Sequence, residues 1–312
     1  MSVEQERFSR YPFFAMGLLV RTCPNLECKY SKKTSQRFYS KTGTFLSKWN
    51  GHRVPRYRCR ECGKNFSSST FRNTYYQKKP YLNKSIFELY SSGTCQRRLA
   101  KVLRVDRKTI ARKFYWLSKW ARDKHEKMLH DFKTNHIQFD EMESFEHTRL
   151  KPLSIGLAVE ANSAKIIDIQ VGTLNYKGRL ASFAFSKYGS RIDTSEKAVK
   201  KVFETIQSTG MTNPTITTDS KGTYPRLIKA VLPDAVHRPT KSTKISMAQR
   251  LFRKGRRNED DPLFVLNYTA AKIRHDLSRM GRKVWVTTKH SNYLQAHLNL
   301  YIAYSNGYQL PR

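Results

Sequence analysis

Two cysteine pairs near the N-terminus constrain this chain more than any other feature. Cys23-Pro-Asn-Leu-Glu-Cys28 and Cys59-Arg-Glu-Cys62 each set two thiols at the ends of a short turn. Zinc takes four ligands in a tetrahedron, each sulfur about 2.3 Å away, and two such turns bring four thiolates to one point. The second pair sits in Tyr57-Arg-Cys-Arg-Glu-Cys-Gly-Lys-Asn-Phe66, where Gly63 suits the tight reversal after the knuckle. Both spacings are permitted, and the wider first one is the looser signal. His52 could stand in for a cysteine, but four thiols make that unnecessary. A disulfide framework would need an oxidising compartment. The apolar run Phe13–Val20 is interrupted by Gly17 and lacks a small-residue cleavage site, so a secretory signal is not expected. A site closed by four sulfurs has no open position, so the expected metal is structural.

The second constraint is charge. Lys and Arg number 59 against 24 acids, a formal +35, which calls for a polyanionic partner. No apolar run approaches the ~20 residues of a membrane span. The basic residues are spread along the whole chain, which suits an extended DNA surface better than a lipid patch. The 38% hydrophobic and 12% aromatic content is enough for a real core, which excludes a disordered basic tail. Around the cysteines, Lys29, Lys32, Lys33, Arg53, Arg56, Arg58 and Arg60 are expected to touch phosphates. The segment Lys241–Arg257, including Lys241 and Lys244, is dense in Lys and Arg and poor in periodicity. It reads as a loop clamping DNA backbone, with a plain solvated loop as the alternative.

The 312 residues fall into three zones: a cysteine module over 1–75, a helical module over 81–130, and an α/β domain over 135–312. In the helical module Ile86, Leu89 and Tyr90 mark an apolar face before a Ser91-Ser92-Gly93 turn. Thr94 is the expected N-cap of a second helix carrying Leu99, Val102 and Leu103. Asp106 caps a third, in which Ile110, Phe114, Leu117 and Ala121 recur at helical spacing. Arg107, Lys108, Arg112 and Lys113 lie on the opposite side. An apolar stripe behind a basic N-terminal half is what a helix-turn-helix recognition helix needs, although an ordinary solvated helix pair has the same look. Cys95 is read as a small buried residue.

In the third zone, strands are expected over 136–145, 152–160 and 164–171, then a helix over 195–208. A fourth strand over 214–218 ends at Asp219-Ser-Lys-Gly-Thr-Tyr, and a helix and a short strand over 235–238 follow. A final helix starts at Asp261 and Pro262, with Leu263, Leu266, Ala270, Ile273, Leu277 and Met280 as its stripe. The order of three strands, helix, strand, helix, strand, helix resembles the ribonuclease H-like fold of integrase-type nucleases. The expected class is thus multi-domain α+β and α/β: a zinc ribbon, a helix-turn-helix, and a ribonuclease H-like mixed sheet flanked by helices.

As a set, several pieces resemble the bacterial insertion-sequence transposases of the DDE superfamily that carry an N-terminal zinc ribbon. They are the four cysteines, Phe139-Asp-Glu-Met-Glu-Ser-Phe145, Thr218-Asp-Ser220, Arg274-His-Asp-Leu-Ser-Arg-Met-Gly-Arg-Lys-Val-Trp285 and Thr287-Thr-Lys289. The resemblance implies a transposase that binds double-stranded DNA at element ends and at a target, acting as a homo-oligomer in the bacterial cytoplasm, associated with the nucleoid, and touching no membrane. It implies Mg²⁺ or Mn²⁺ as the catalytic cofactor beside Zn²⁺. The catalytic residues would be Asp140, Asp219 and a third ligand on the final helix, where aligning the basic stretch puts Asn267 instead of the usual Glu. Arg274, Arg279, Arg282 and Lys289 would contact phosphates. Phosphoryl transfer with two hard cations needs oxygen ligands, chiefly carboxylates, and Asp140 and Asp219 are of that kind. The bland alternatives are a solvated strand residue for Asp140, a helix N-cap for Asp219, a packing amide for Asn267 and a solvated face for the basic residues. A DNA-binding regulator, including an inactivated transposase, is the competing function. A ribonuclease is disfavoured because it would not need both a cysteine module and a recognition-like helix.

Overall fold

A computed structural model describes residues 22–32, 38–47, 51–75, 77–132, 134–241, 261–281 and 286–310. Lys33, Lys244, Arg282, the run Phe13–Val20 and the rest of Lys241–Arg257 beyond Lys241 lie outside the described residues. The chain is mixed α+β, with two sheets, and divides into two compact units after Tyr81. No helix among the described residues is long and apolar enough to cross a membrane.

The first unit is a three-stranded antiparallel sheet: β1 (Tyr39–Leu46), β2 (Arg53–Cys59) and β3 (Asn65–Ser67). Its core is small: the buried cysteines with Phe38 and Phe66, and Tyr30, Tyr39 and Tyr57 packed at the edge. Phe38 and Phe66 stack at 6.0 Å, and Tyr39 meets Tyr57 edge-on at 4.9 Å. So small a core is marginal alone, and modules of this size are commonly held by a metal or disulfides.

The second unit contains a five-stranded sheet in the order β6-β5-β4-β7-β8. The strands are β4 (His136–Phe145), β5 (Pro152–Glu160), β6 (Ile166–Thr173), β7 (Thr215–Asp219) and β8 (Val236–Thr240). β4, β5 and β6 are an antiparallel meander; β7 and β8 run parallel to β4. All nine residues of β5 are buried, because both faces of the sheet are covered. On one face lie α5 (Ser195–Ser208) and α6 (Tyr224–Val231), packed on Ile137, Phe139 and Ile216. On the other lie α7 (Phe264–Asp276) and α8 (Ser291–Ser305), packed on Met142, Leu153, Ile155 and Leu157. Between β6 and α5 the short helix α4 (Ala181–Tyr188) buries only Ala184.

Three helices precede the sheet: α1 (Leu82–Ser91), α2 (Gln96–Val102) and α3 (Arg107–Lys127). The expected stripe of Ile110, Phe114, Leu117 and Ala121 is buried, and Asp106 caps α3 by accepting from the Lys108 N–H at 2.7 Å. These helices share one core with Ala296, Leu300 and Ala303 of α8, so the trio is built onto the sheet unit. Gly93 makes the α1–α2 turn with φ +74°, and a Cβ there would lie 2.5 Å from the Asp276 carbonyl oxygen. Glycine is therefore required twice over, by conformation and by space. Four local expectations are corrected. α7 begins at Phe264 with Leu263 as its cap residue, not at Asp261 and Pro262. Cys95, not Thr94, is the cap residue of α2, and being at a cap it is exposed rather than buried. Val102, at the end of α2, is likewise exposed.

Candidate metal centre and acidic site

The four cysteines converge. Cys23 Sγ and Cys62 Sγ are 3.5 Å apart, Cys28 Sγ and Cys59 Sγ 3.8 Å, and all four lie within 4.8 Å of one another. Sulfurs on a zinc tetrahedron are separated by about 3.8 Å, so the cluster could hold the ion with little movement. Backbone bonds shape both knuckles. The Cys28 N–H donates to the Asn25 carbonyl, and the Gly63 N–H to that of Cys59, with Gly63 at φ +68°. Burial pushes the Cys23 thiol up to about 12, while the Lys64 backbone N–H draws Cys62 down to about 7. Crowded thiols with this spread do not all ionise without a cation among them.

The second centre lies at the exits of β4 and β7. These strands are parallel neighbours with Phe139 paired to Thr218, so the next residues, Asp140 and Asp219, are adjacent. Side chains paired across a parallel ladder point to the same face, about 4.8 Å apart at the backbone. Along β4, Phe139 and Ile137 face α5 and α6, whereas Gln138 and Met142 face α7. Asp140 therefore faces α7. Burial pushes its carboxyl up to about 6; Asp219 and Glu141 add like charge, opposed by the Glu141 N–H and by Lys221. Asp219 does not cap the helix that follows: α6 begins at Tyr224, and Asp219 Oδ1 accepts from the Lys221 N–H at 3.2 Å in a local turn.

Two supporting residues escape a reading of the sequence. Gln138 Oε1 accepts from the Leu266 N–H (2.9 Å) and its Nε2 donates to the Pro262 carbonyl (2.8 Å), fastening the start of α7 to β4. On the opposite face Glu141, with its side chain only 8% exposed, takes an ion pair from Lys221, a bond from Ser154 and one from Tyr224 Oη at 2.8 Å. This ties the turn after Asp219 to β4. The alternation of β4 was the available signal, since Glu141 shares the inward side with Phe139.

Asn267 is exposed, and its Nδ2 donates to Asp261 Oδ2 at 2.9 Å. That bond uses the amide nitrogen and leaves the carbonyl oxygen, the atom a cation would take, unconsumed. Asp276 is engaged by Tyr301 Oη at 2.7 Å. Among the described residues, the cysteines form the one cluster of three or more His, Cys, Asp or Glu groups close enough to share a metal.

The expected DNA contacts separate by burial. Arg107, Lys108, Arg112, Lys241 and Lys289 are exposed. Lys113 is not on that face: it is buried between α1 and α3, its Nζ donates to Asn83 Oδ1 at 2.7 Å, and burial pulls it down to about 8. The expectation of a phosphate contact at Lys113 is therefore corrected; one step round the helix from Arg112 turns it into the core. Arg279 is half-buried near Tyr90 and Cys95, its charge disfavoured by burial, and Arg274 is half-buried beside a groove with Glu143 and Phe145.

Compared with known proteins, the chain matches no family model and no curated relative. The geometry itself therefore carries the functional argument. It offers one closed four-thiol centre suited to a structural ion, and one pair of carboxylates whose charges strain against each other at the ends of two central strands.

Proposed function

We propose that this protein is a DNA transposase with a zinc ribbon, a helix-turn-helix and a ribonuclease H-like catalytic sheet, cutting and joining strands at Asp140 and Asp219. The single observation behind this reading is the meeting of those two carboxylates on adjacent parallel strands, with Asp140 pushed up to about 6. Two hard, half-buried, mutually repelling carboxylates suit a divalent cation such as Mg²⁺ or Mn²⁺, which would neutralise the repulsion. When bound, such ions activate an attacking oxygen and stabilise the leaving one at phosphorus. The chain's own residues do the positioning. Asp140 and Asp219 supply the oxygen ligands, and Asn267 is proposed to add a carbonyl oxygen or hold a water. Gln138 fixes the start of α7 over the site, and the Glu141–Lys221–Tyr224 cluster holds the turn that presents Asp219.

Arg107, Lys108 and Arg112 give α3 an exposed basic end suited to a DNA groove, and Lys241, Lys289 and Arg274 add phosphate contacts. Joining two element ends to a target calls for more than one copy on the DNA. The test is incubation with Mg²⁺ and a plasmid carrying the DNA that flanks the protein's own gene. Nicking and strand joining are expected, and Asp140→Asn and Asp219→Asn should abolish both while sparing DNA binding. Asn267→Ala should reduce activity most at limiting Mg²⁺. Full activity in Asp140→Asn sinks the reading. Tight binding with no cleavage by the unaltered protein favours a DNA-binding regulator, for which the amide in place of a third carboxylate is the supporting feature.

A further inference from the structure

The segment joining β6 to α5, Leu174–Asp193, is long for a connection inside a compact domain, where a handful of residues is usual and longer ones tend to be functional. Its base is tied down at both ends. Thr173 Oγ1 donates to the Ile192 carbonyl (2.6 Å), and the Asn175 N–H to Asp193 Oδ2 (3.2 Å). Arg191, itself mostly buried, donates to the carbonyls of Leu174 (3.0 Å) and Pro152 (3.2 Å) and meets Glu146 at 3.5 Å. Lys151 Nζ lies 4.4 Å over the Tyr188 ring. The segment is thus a built arm, not a slack loop.

What the arm displays is unusual for a surface. Leu180 is 58% exposed, Phe183 53%, Phe185 59% and Ile192 78%. In a helix, residues one step either side of the inward Ala184 are turned about 100° from it, so Phe183 and Phe185 flank the helix with both rings in solvent. Among them stand Lys177, Arg179, Lys187 and Arg191, against a single acid, Asp193. The arm also forms one wall of an open groove. Arg179 and Leu180 face Glu143, Phe145 and Arg149 across it, and Arg274 of α7 closes it. Ser144, four residues beyond Asp140 on the same face of the strand, also lines the groove, which puts it roughly 13 Å along β4 from Asp140.

We propose that this arm and groove hold an unpaired DNA strand next to the scissile phosphate, with Phe183 and Phe185 stacking on exposed bases and Arg149, Arg179 and Arg274 on its phosphates. The proposal rests on the transposase reading and adds the conformation of the substrate: an opened strand end, not an intact duplex. Basic side chains alone would suit any duplex, and exposed rings alone would suit any apolar partner. The combination fits a polyanion that also offers flat faces, since base–aromatic stacking tolerates every sequence. A second copy of a chain of charge +35 is a poor match for a basic arm.

The test uses the full chain carrying Asp140→Asn, so that binding is read without cutting. Fluorescence anisotropy is measured with a labelled blunt duplex and with the same duplex bearing an unpaired end. Phe183→Ala plus Phe185→Ala is expected to weaken binding of the open-ended probe by roughly tenfold or more while leaving the blunt duplex nearly unchanged. Arg179→Ala should lower the salt dependence on the open-ended probe. Equal weakening on both probes, or none on either, overturns the proposal. So does partitioning onto phosphatidylserine vesicles that disappears with the two rings, which makes the arm a membrane contact. Concentration-dependent self-association lost with the rings overturns it too, in favour of a contact between copies. Both rings are exposed, so the melting curve of the double variant should match that of its parent and exclude misfolding. Cleavage by the chain with Asp140 intact is scored separately, so failure of the enzyme reading is not confused with failure of the arm.

Discussion

Asp140 carries its charge at the expense of the fold. Its carboxyl lies at about 6 in the native chain against an ordinary value of 3.8. Between about pH 4 and pH 6 the folded protein therefore holds a proton that the unfolded chain has released, and stability falls as pH rises through that window. A shift of this size corresponds to at most roughly 3 kcal/mol, less after solvent screening of a partly exposed group. Asp140→Asn should accordingly raise the melting temperature near neutral pH, and the gain should fade towards pH 4. Mg²⁺ should reverse the order, stabilising the unaltered protein and not the variant. A melting difference that is flat across this pH range and indifferent to Mg²⁺ would remove both the electrostatic strain and the ion site. This residue was legible as a candidate because it stands on the first expected strand of the α/β zone, after Ile137 and Phe139 on one face. Lys113 was not, since a basic residue beside Arg112 looks the same whether its helix position points out or in. Glu141 was hidden similarly: its partners Ser154, Lys221 and Tyr224 come from three other places in the chain.

At the scale of elements, α3 is bonded to β6 by a buried polar network. Asp168 is fully buried and accepts from Arg122 Nη1 (3.2 Å), Thr205 Oγ1 (2.7 Å) and Gln170 Nε2 (2.8 Å). Nearby, the His125 ring bonds Tyr308 Oη at 2.9 Å and the Ile167 carbonyl at 2.7 Å. Removing one partner of a buried pair leaves the other charge uncompensated, at a cost of about 3–5 kcal/mol. Asp168→Ala should lower the urea midpoint of the sheet unit by a corresponding amount, and Asp168→Asn by less; a loss under about 1 kcal/mol would show that the network bears no weight. Elements with a clear apolar pattern were readable: α5 with one apolar face and β5 apolar on both have the bounds expected, as does β4, and the α3 stripe is buried throughout. Two helices were not. α4 buries a single residue and so has no stripe to find. α8 has the opposite problem, because Leu294, Ala296, His297, Leu298, Leu300, Tyr301, Ile302 and Ala303 are buried on nearly every side, and a helix apolar all round loses its period.

At the scale of the molecule, the division after Tyr81 separates a module whose small core is built around a cysteine cluster that could hold an ion from one with larger cores of its own. Structural zinc contributes about 10–16 kcal/mol to the folding of small peptides. A strong chelator, or Cys59→Ser with Cys62→Ser, should therefore release amide protection over the three strands Tyr39–Leu46, Arg53–Cys59 and Asn65–Ser67 while the strands and helices of the second unit keep theirs. Metal analysis should find one zinc per chain. Unchanged hydrogen exchange in the first unit after chelation would show that its aromatic cluster suffices. The second unit has a different consequence built into it. α3 is one uninterrupted helix of 21 residues, about 30 Å long. Its exposed basic start and its buried end at His125 are two ends of one rod, and the latter is bolted to the strand beside β5. On the proposed reading, α3 acts as a ruler. The number of base pairs between the sequence it reads and the phosphate that is cut is fixed by the length of the protein, so the enzyme should tolerate changes of sequence at the cut far better than changes of spacing.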